Sequence, residues 1–162
     1  MNRQNDIALI WLELGADIRA EAGDLLAEGD LTTAVILSLA CDARAREDDI
    51  IPDGTGNRRG WWADTVAPLP ATGLAVAEAP GQADSLGSRL WLLHRELQAP
   101  DVLRRARDYA QEALQWMIAD GVARAVAVTP SIPRQGWLAL DIVVTLSAGG
   151  GEKRLNFAYP YI

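Results

Sequence analysis

Four carboxylates lie close together in the middle of the chain, at Glu47, Asp48, Asp49 and Asp53. Paired carboxyl groups cleave glycosidic bonds when an apolar pocket raises the pKa of one acid and the second lies at a defined separation. The residues around these acids include several prolines and glycines and predict a loop, with no sign of such a pocket. A solvated acidic loop is therefore the better interpretation. The alternative is a lysozyme-like peptidoglycan hydrolase that uses Glu47, Asp49 or Asp53.

Other reactive patterns are weaker. His94 is the only histidine and lies in a Leu-rich segment that predicts a core helix, and Cys41 is the only cysteine and lies in an apolar run. Neither residue has a metal-ligand partner at the usual spacing. Calcium-loop spacing, phosphate-loop and nucleophile-elbow patterns are also absent from the sequence. We therefore expect no catalytic residue, no metal and no cofactor.

The densest cluster of chemically distinctive side chains is the run of paired arginines and paired tryptophans between residues 58 and 64. Trp and Arg are enriched at the centres of protein interfaces, where large apolar areas and guanidinium groups are buried together. The pattern predicts a docking element in which the following residues make the main contact or hold the contacting loop: Arg58, Arg59, Trp61, Trp62 and Asp64. The alternative is that the cluster packs on its own domain, with Asp64 paired to an arginine.

Two shorter blocks are expected to support this element. Asp42, Arg44 and Arg46 follow an apolar run and predict a structural charge network that fixes a helix end to the next loop. Cations in the last turn of a helix also interact favourably with the helix dipole. Further along, Arg89 is expected to reach the acidic loop and Trp91 to pack in the core.

The first half of the chain predicts strands, one helix and a loop. Residues 7–14 and 16–21 predict two short strands around a turn at Gly15. Asp30 is placed to cap a helix that runs from Leu31 to Arg46 and is buried on several sides. Residues 47–86 show no sustained period, and a loop of this length is usually functional or becomes ordered on a partner.

The second half predicts two helices and an antiparallel sheet. A short helix is predicted for residues 89–97 and an amphipathic helix from Pro100 to Asp120, with Gly121 after its C-terminus. Strands are predicted for residues 122–128, 137–146 and 154–159. Strands, helices and strands in separate blocks favour the α+β class. The 162 residues, 49% of them hydrophobic, fit a single domain with a long loop at about residues 47–86.

The charge and hydropathy of the sequence argue against two classes of binding partner, nucleic acids and membranes. A net charge of −7 argues against nucleic acid, whose phosphates require a clustered positive surface. No apolar run approaches the roughly 18 residues of a membrane span, and the N-terminus does not match a signal peptide. The sequence therefore predicts a protein that binds neither nucleic acid nor membrane.

Five blocks, taken in order, resemble the tail baseplate wedge protein of Mu-like bacteriophages and prophages: residues 30–35, 36–39 with 42–45, 51–53, 58–64 and 87–93. The resemblance covers roughly residues 5–130. The family it points to is similar to the small wedge component from which sheath assembly starts in contractile tails. The chain departs from the family pattern at Ala40 and Ala63, and its insert between Asp64 and Gly87 is longer.

The resemblance implies a structural subunit of the virion tail baseplate, made in the bacterial host cytoplasm. It implies an α+β protein without cofactor or catalysis, which oligomerises mainly in the assembled baseplate. Its expected partners are the other wedge subunits, with tail sheath or tube proteins as further partners.

Overall fold

The computed structural model describes residues 6–12, 15–22, 24–25, 27–28, 31–61, 86–94, 100–147 and 149–160. Six short strands precede the first helix: β1 (Asp6–Ile7), β2 (Leu9–Leu12), β3 (Gly15–Ile18), β4 (Ala20–Glu21), β5 (Asp24–Leu25) and β6 (Ala27–Glu28). The remaining elements are α1 (Thr32–Ala40), a 3₁₀ helix (Arg89–Leu93), α2 (Pro100–Ala113), α3 (Trp116–Ala119), β7 (Ala123–Ser131), β8 (Trp137–Leu146) and β9 (Glu152–Pro160). This order confirms the predicted α+β class.

The six short strands form an N-terminal ribbon of antiparallel pairs. β2 pairs with β3, which confirms the predicted hairpin, and β1 pairs with β6 and β4 with β5. The ribbon is joined to α1 through Thr33. The backbone N–H of Leu9 donates to the Thr33 hydroxyl at 3.0 Å, and that hydroxyl donates to the carbonyl of Ile7 at 3.2 Å. One buried side chain therefore orients the ribbon on the helix.

Helix α1 is mostly buried but shorter than predicted. Its buried side chains include Val35, Ile36 and Leu39. The helix ends at Ala40 rather than Arg46, because Cys41 takes an extended conformation and the chain then pairs with a distant segment. The last turn holds no basic residue, so the predicted dipole interaction of the arginines is wrong. Leu31 is the N-cap and makes no side-chain cap bond, and the predicted cap, Asp30, lies outside the described residues.

The long helix predicted for residues 100–120 is two helices. The N–H of Gln115 bonds the carbonyl of Glu112 at 3.1 Å, and the N–H of Met117 bonds that of Leu114 at 3.1 Å. These bonds to the third preceding residue tighten one turn and redirect the chain into α3. Trp116 then lies against α1, where its indole N–H donates to the Ser38 hydroxyl at 3.0 Å.

Strands β7, β8 and β9 form an antiparallel sheet in that order, as predicted. Burial alternates along β8, so one face of the sheet enters the core with Leu138, Leu140, Ile142 and Val144. Helix α2 packs on β7 and completes that core through its apolar side. In the part of the chain that the structure describes, every helix is too short or too polar to cross a membrane.

Candidate docking site

A glycine allows two distant segments of the chain to meet. Gly87 has a φ of +103°, and a Cβ at this position would lie 2.5 Å from the carbonyl oxygen of Cys41. Ser88 follows and exchanges backbone bonds with the end of α1: its N–H donates to Cys41 at 2.9 Å and its carbonyl accepts from Ala43 at 3.0 Å. The buried Ser88 hydroxyl donates to the carbonyl of Leu39 at 2.7 Å. Only glycine permits this close approach at position 87.

Trp91 and Arg59 extend this contact. The indole N–H of Trp91 donates to the carbonyl of Ala43 at 2.8 Å, and the Arg59 guanidinium lies over the Trp91 ring at 4.4 Å from its centroid. Arg59 also pairs with Asp42 at 2.7 Å. A guanidinium over an indole face is attracted by the ring's electrons, so Arg59 is held from two directions. Arg59 has a φ of +50°, which is uncommon for a residue other than glycine and marks a tightly determined backbone.

Arg89 connects the acidic loop to α2. It is 7% exposed, and its Nη1 donates to both carboxylate oxygens of Asp49 at 3.0 Å while its Nη2 donates to Glu112 at 2.6 Å. Burial lowers the pKa of Arg89, but the hydrogen bonds that it donates to Glu112 and Asp49 outweigh this effect and leave that pKa above its usual value. The guanidinium also lies over the ring of Tyr109 at 4.4 Å, and Arg46 pairs with Glu112 at 3.0 Å. Arg89 therefore reaches the acidic loop, as the sequence indicates.

The acidic loop is ordered by its own side chains. The carboxylate of Asp49 accepts from the backbone N–H of Arg46 at 2.7 Å. Asp53 accepts from both the backbone and the hydroxyl of Thr55, at 3.0 and 2.8 Å, and these hydrogen bonds lower the pKa of Asp53. A glycosidase acid requires a raised pKa, so this shift has the wrong sign, and Asp49 is held by two guanidinium hydrogen bonds. The geometry does not favour hydrolase chemistry here.

These contacts define what we call the signature knot: Asp42, Asp49, Arg59, Ser88, Arg89, Trp91 and Glu112. The structure brings four of the predicted site residues together in it, namely Asp42, Arg59, Arg89 and Trp91. The charge network predicted around Asp42 has Arg59 as its cation, while Arg44 is exposed on the same extended segment.

The other predicted residues lie at or beyond the margin of the knot. The Arg58 side chain donates to the carbonyl of Glu47 at 3.2 Å, and the Arg58 carbonyl accepts from Ala45 at 2.9 Å. Trp61 is half-buried and lines a groove of about 350 Å³ together with Leu86, α1 and α3. The predicted docking residues Trp62 and Asp64 lie outside the described residues.

Sequence reasoning missed several groups that the structure shows. Glu112 completes the Arg89 contact, although its place on the polar side of α2 gave no sign of this role. Trp11 ties the ribbon to β9, since its indole N–H donates to the carbonyl of Ala158 at 2.8 Å and its ring packs edge-on against Phe157. His94 is exposed just after the 3₁₀ helix, so its predicted core position is wrong. Within the described ranges, no three His, Cys, Asp or Glu side chains are grouped closely enough to hold a metal.

The fold and the knot define an α+β protein in which the most recognisable side chains hold segments of the chain together. The model of the phage protein GP46 family matches residues 31–151, which include the whole knot. The baseplate protein gp46 of Escherichia phage Mu is 42% identical over 144 residues, or 89% of each chain. The Mu-like prophage FluMu protein gp46 of Haemophilus influenzae is 35% identical over 150 residues, or 93% of each chain. The chain belongs to the GP46 family of Mu-like phages and prophages, which confirms the resemblance.

Proposed function

We propose that the protein is a structural, non-catalytic subunit of the tail baseplate of a contractile phage or prophage, and that it acts in the virion tail. The similarity to the Mu baseplate protein over nine-tenths of both chains supports this role. The chemistry of the knot supports it as well. The side chains that could have formed a reactive centre, such as Asp49 and Arg89, are used for contacts within the chain.

We propose that the N-terminal ribbon binds other wedge subunits, and one observation carries this assignment. Four large apolar side chains of the ribbon are 44% to 52% exposed: Ile7, Leu12, Ile18 and Leu25. Single exposed apolar residues are ordinary, but four in three adjoining strand pairs give a partner several apolar contacts. By the register of β2 with β3, Leu12 and Ile18 point to opposite faces of that pair. Because these side chains are already about half-buried, covering each one contributes about 1 kcal/mol before the costs of association.

The outer edge of β9 is a second proposed contact, where the chain would start sheath assembly by pairing with a partner strand. Trp11 reaches the carbonyl of Ala158 from this edge. Because backbone groups alternate in direction along a strand, we expect those of Asn156 and Arg154 to point to the same edge. An unpaired edge next to a groove of about 440 Å³, lined by Leu9 and Leu155 among others, suits strand addition. Edge strand β7 suits it less well, because Pro130 lacks an N–H donor.

The knot has a supporting role in this proposal. It holds Trp61 and Leu86, the two residues that flank the segment 62–85, at one groove. We propose that Arg59, Arg89 and Trp91 fix the base of a docking loop. The direct contact predicted for Trp61, Trp62 and Asp64 stays a prediction.

Co-expression with neighbouring baseplate subunits tests the two surfaces separately. The double change Ile18→Asp with Leu25→Asp should leave the protein folded and abolish co-purification of the subunit that covers the ribbon. The change Asn156→Pro removes one outward N–H and should reduce sheath assembly on the baseplate. Arg124→Glu, on the exposed part of β7, is the matched control and should change neither result. Normal co-purification by the double variant would overturn the ribbon assignment.

A peptidoglycan assay tests the non-catalytic part of the proposal. The purified protein should leave peptidoglycan intact over prolonged incubation. Sustained cleavage that is lost in Asp53→Asn would replace the structural role with the hydrolase.

A further inference from the structure

A second groove lies on the other side of the contact between Trp11 and β9. It has a volume of about 440 Å³ and is lined by Trp11, Leu12, Pro133, Arg134, Trp137 and Ala158. Two indoles, a proline and a leucine that is 46% exposed make its walls apolar. The Arg134 guanidinium lies over the ring of Trp137 at 3.7 Å from the centroid and gives the groove one positive charge.

The guanidinium of Arg134, like those of Arg58 and Arg124, forms no ion pair in the described part of the chain, although the net charge is −7. The guanidinium groups of Arg59, Arg89 and Arg104 each pair with one or two carboxylates. A cation fixed on an indole beside an apolar groove matches a segment that has an apolar side chain next to a carboxylate.

The chain itself presents a segment with that chemistry. Ile50 is 85% exposed, far more than any other large apolar side chain that the structure describes. It projects from the acidic loop between Asp49, which is anchored by Arg89, and the turn at Asp53. The neighbouring carboxylate of Asp48 is exposed and forms no ion pair among the described residues. Because the loop is already ordered, Ile50 and the Asp48 carboxylate beside it lose little conformational entropy when they bind.

We propose that the acidic loop of one copy docks in this groove of a second copy, with Ile50 between Trp11 and Trp137 and a loop carboxylate paired with Arg134. The two surfaces differ, so the contact is head to tail, and repetition of such a contact closes a ring when the rotation between copies permits it. The area involved is small, and the free protein should associate weakly, with a Kd on the order of 0.1–1 mM. Fixing copies next to one another in an assembly raises their effective concentration to this range. The inference goes beyond the proposed function, because it assigns a contact between copies of this chain.

Two variants with one damaged surface each provide the test. Ile50→Ser removes the apolar side chain and keeps the groove, whereas Arg134→Glu damages the groove and keeps the loop. Both side chains are exposed, so circular dichroism and the melting temperature should match the wild type. Sedimentation of the full-length chain from about 10 µM to 1 mM should show association of the wild type and at least tenfold weaker association of each variant. An equimolar mixture of the two variants should form a 1:1 dimer, since each supplies the surface that the other lacks.

The two control variants make the same kinds of substitution, Arg to Glu and Ile to Ser, at exposed positions outside the proposed contact. Arg124→Glu and Ile18→Ser should associate like the wild type. The indole N–H signals of Trp11 and Trp137 should shift with concentration in the wild type and should not shift in Arg134→Glu. The proposal is overturned by a wild-type protein that stays monomeric at 1 mM, by either variant associating as the wild type does, or by a variant mixture that stays monomeric. Failure here would leave the ribbon and β9 assignments unaffected, because those are measured with other subunits.

Discussion

The signature knot turns its polar and aromatic side chains toward its own chain, whereas the N-terminal ribbon turns large apolar side chains toward solvent. In the knot, Ser88, Arg89 and Trp91 are all buried and bonded to segments far away in sequence. In the ribbon, Ile18 and Leu25 are about half exposed. The residues that are easiest to recognise therefore hold segments of the fold together, and the surface that we propose for partners is made by less distinctive ones.

The difference has a physical origin. A guanidinium or an indole is stable inside a protein when most of its N–H groups find partners. The knot supplies partners for both Nη groups of Arg89 and for the Trp91 indole, although the buried Nε of Arg89 has none among the described residues. An exposed aliphatic side chain needs no partner until another protein covers it. Substitutions in the knot should therefore change the stability of the isolated protein, and substitutions of the exposed apolar side chains of the ribbon should mainly change assembly.

Removing Arg89 should have the largest effect. Arg89→Met leaves the largely buried carboxylate of Asp49 without its cation, whereas the half-exposed Glu112 keeps Arg46. Removing one partner of a buried ion pair costs about 3 kcal/mol of unfolding free energy, at the low end of the usual range because only the Asp49 side is buried. Urea denaturation measures the loss. Arg104→Met is the matched control, because Arg104 pairs with Asp101 and Asp108 on the solvent-exposed side of α2 and its removal should have only a small effect. Equal losses in the two variants would contradict the view that the knot stabilises the fold.

Two glycines with positive φ offer a second test. Gly87→Ala places a Cβ against the Cys41 carbonyl, so strain and overpacking together should cost about 3 kcal/mol. Gly54 has a φ of +67° with no atom within 4 Å of the added Cβ, and Gly54→Ala should cost only about 1 kcal/mol. Thermal or urea unfolding measures both. A Gly87 variant as stable as the Gly54 variant would show that the contact with Cys41 is loose.

Local patterns predicted much of this fold because they determine it locally. The apolar run at residues 137–146, rich in β-branched residues, predicted the observed bounds of β8, since such runs favour strands. The predicted end of α1 was wrong because contacts with a distant segment, and not the local sequence, determine where this helix ends. No residue after Ala40 breaks a helix by itself, and the chain leaves the helix because Asp42 pairs with Ser88. Similarly, the break before α3 depends on tertiary packing of Trp116.

The candidate site shows the same division. The blocks around Asp42, Arg59 and Trp91 were recognisable from sequence, but their mutual contacts were not, because the pairs are 17 or more residues apart. The exposed ribbon surface was missed because single apolar residues in short strands predict burial. Residue types thus indicated where the chain is constrained, while side-chain exposure is the basis of the proposed contact with partners.

The same substitution in both regions compares them directly. Trp91→Phe removes the hydrogen bond to Ala43 and weakens the stacking of Arg59 in a buried position, and should cost about 2 kcal/mol. Trp11→Phe removes only the hydrogen bond to Ala158 from a partly exposed ring and should cost about 1 kcal/mol. Urea denaturation followed by circular dichroism measures both. A larger loss for Trp11 would mean that the ribbon, rather than the knot, limits stability.

The ionisation of Asp53 should have the smallest effect on stability of the changes considered. Measuring its pKa shows whether the folded state lowers or raises that pKa. Hydrogen bonds from Thr55 favour the ionised carboxyl, so the folded-state pKa should lie below 3.8. This group therefore stabilises the fold above its unfolded-state pKa, and the contribution is lost as the pH falls through the lower folded-state value. Carbon-13 NMR of the carboxyl measures the pKa. Asp53→Asn can keep the turn without titrating, so the stability difference between wild type and variant should stay constant at neutral pH and shrink in acid. A pKa above 3.8 would instead match the acid of a glycosidase and would weaken the contrast between a structural knot and a binding ribbon.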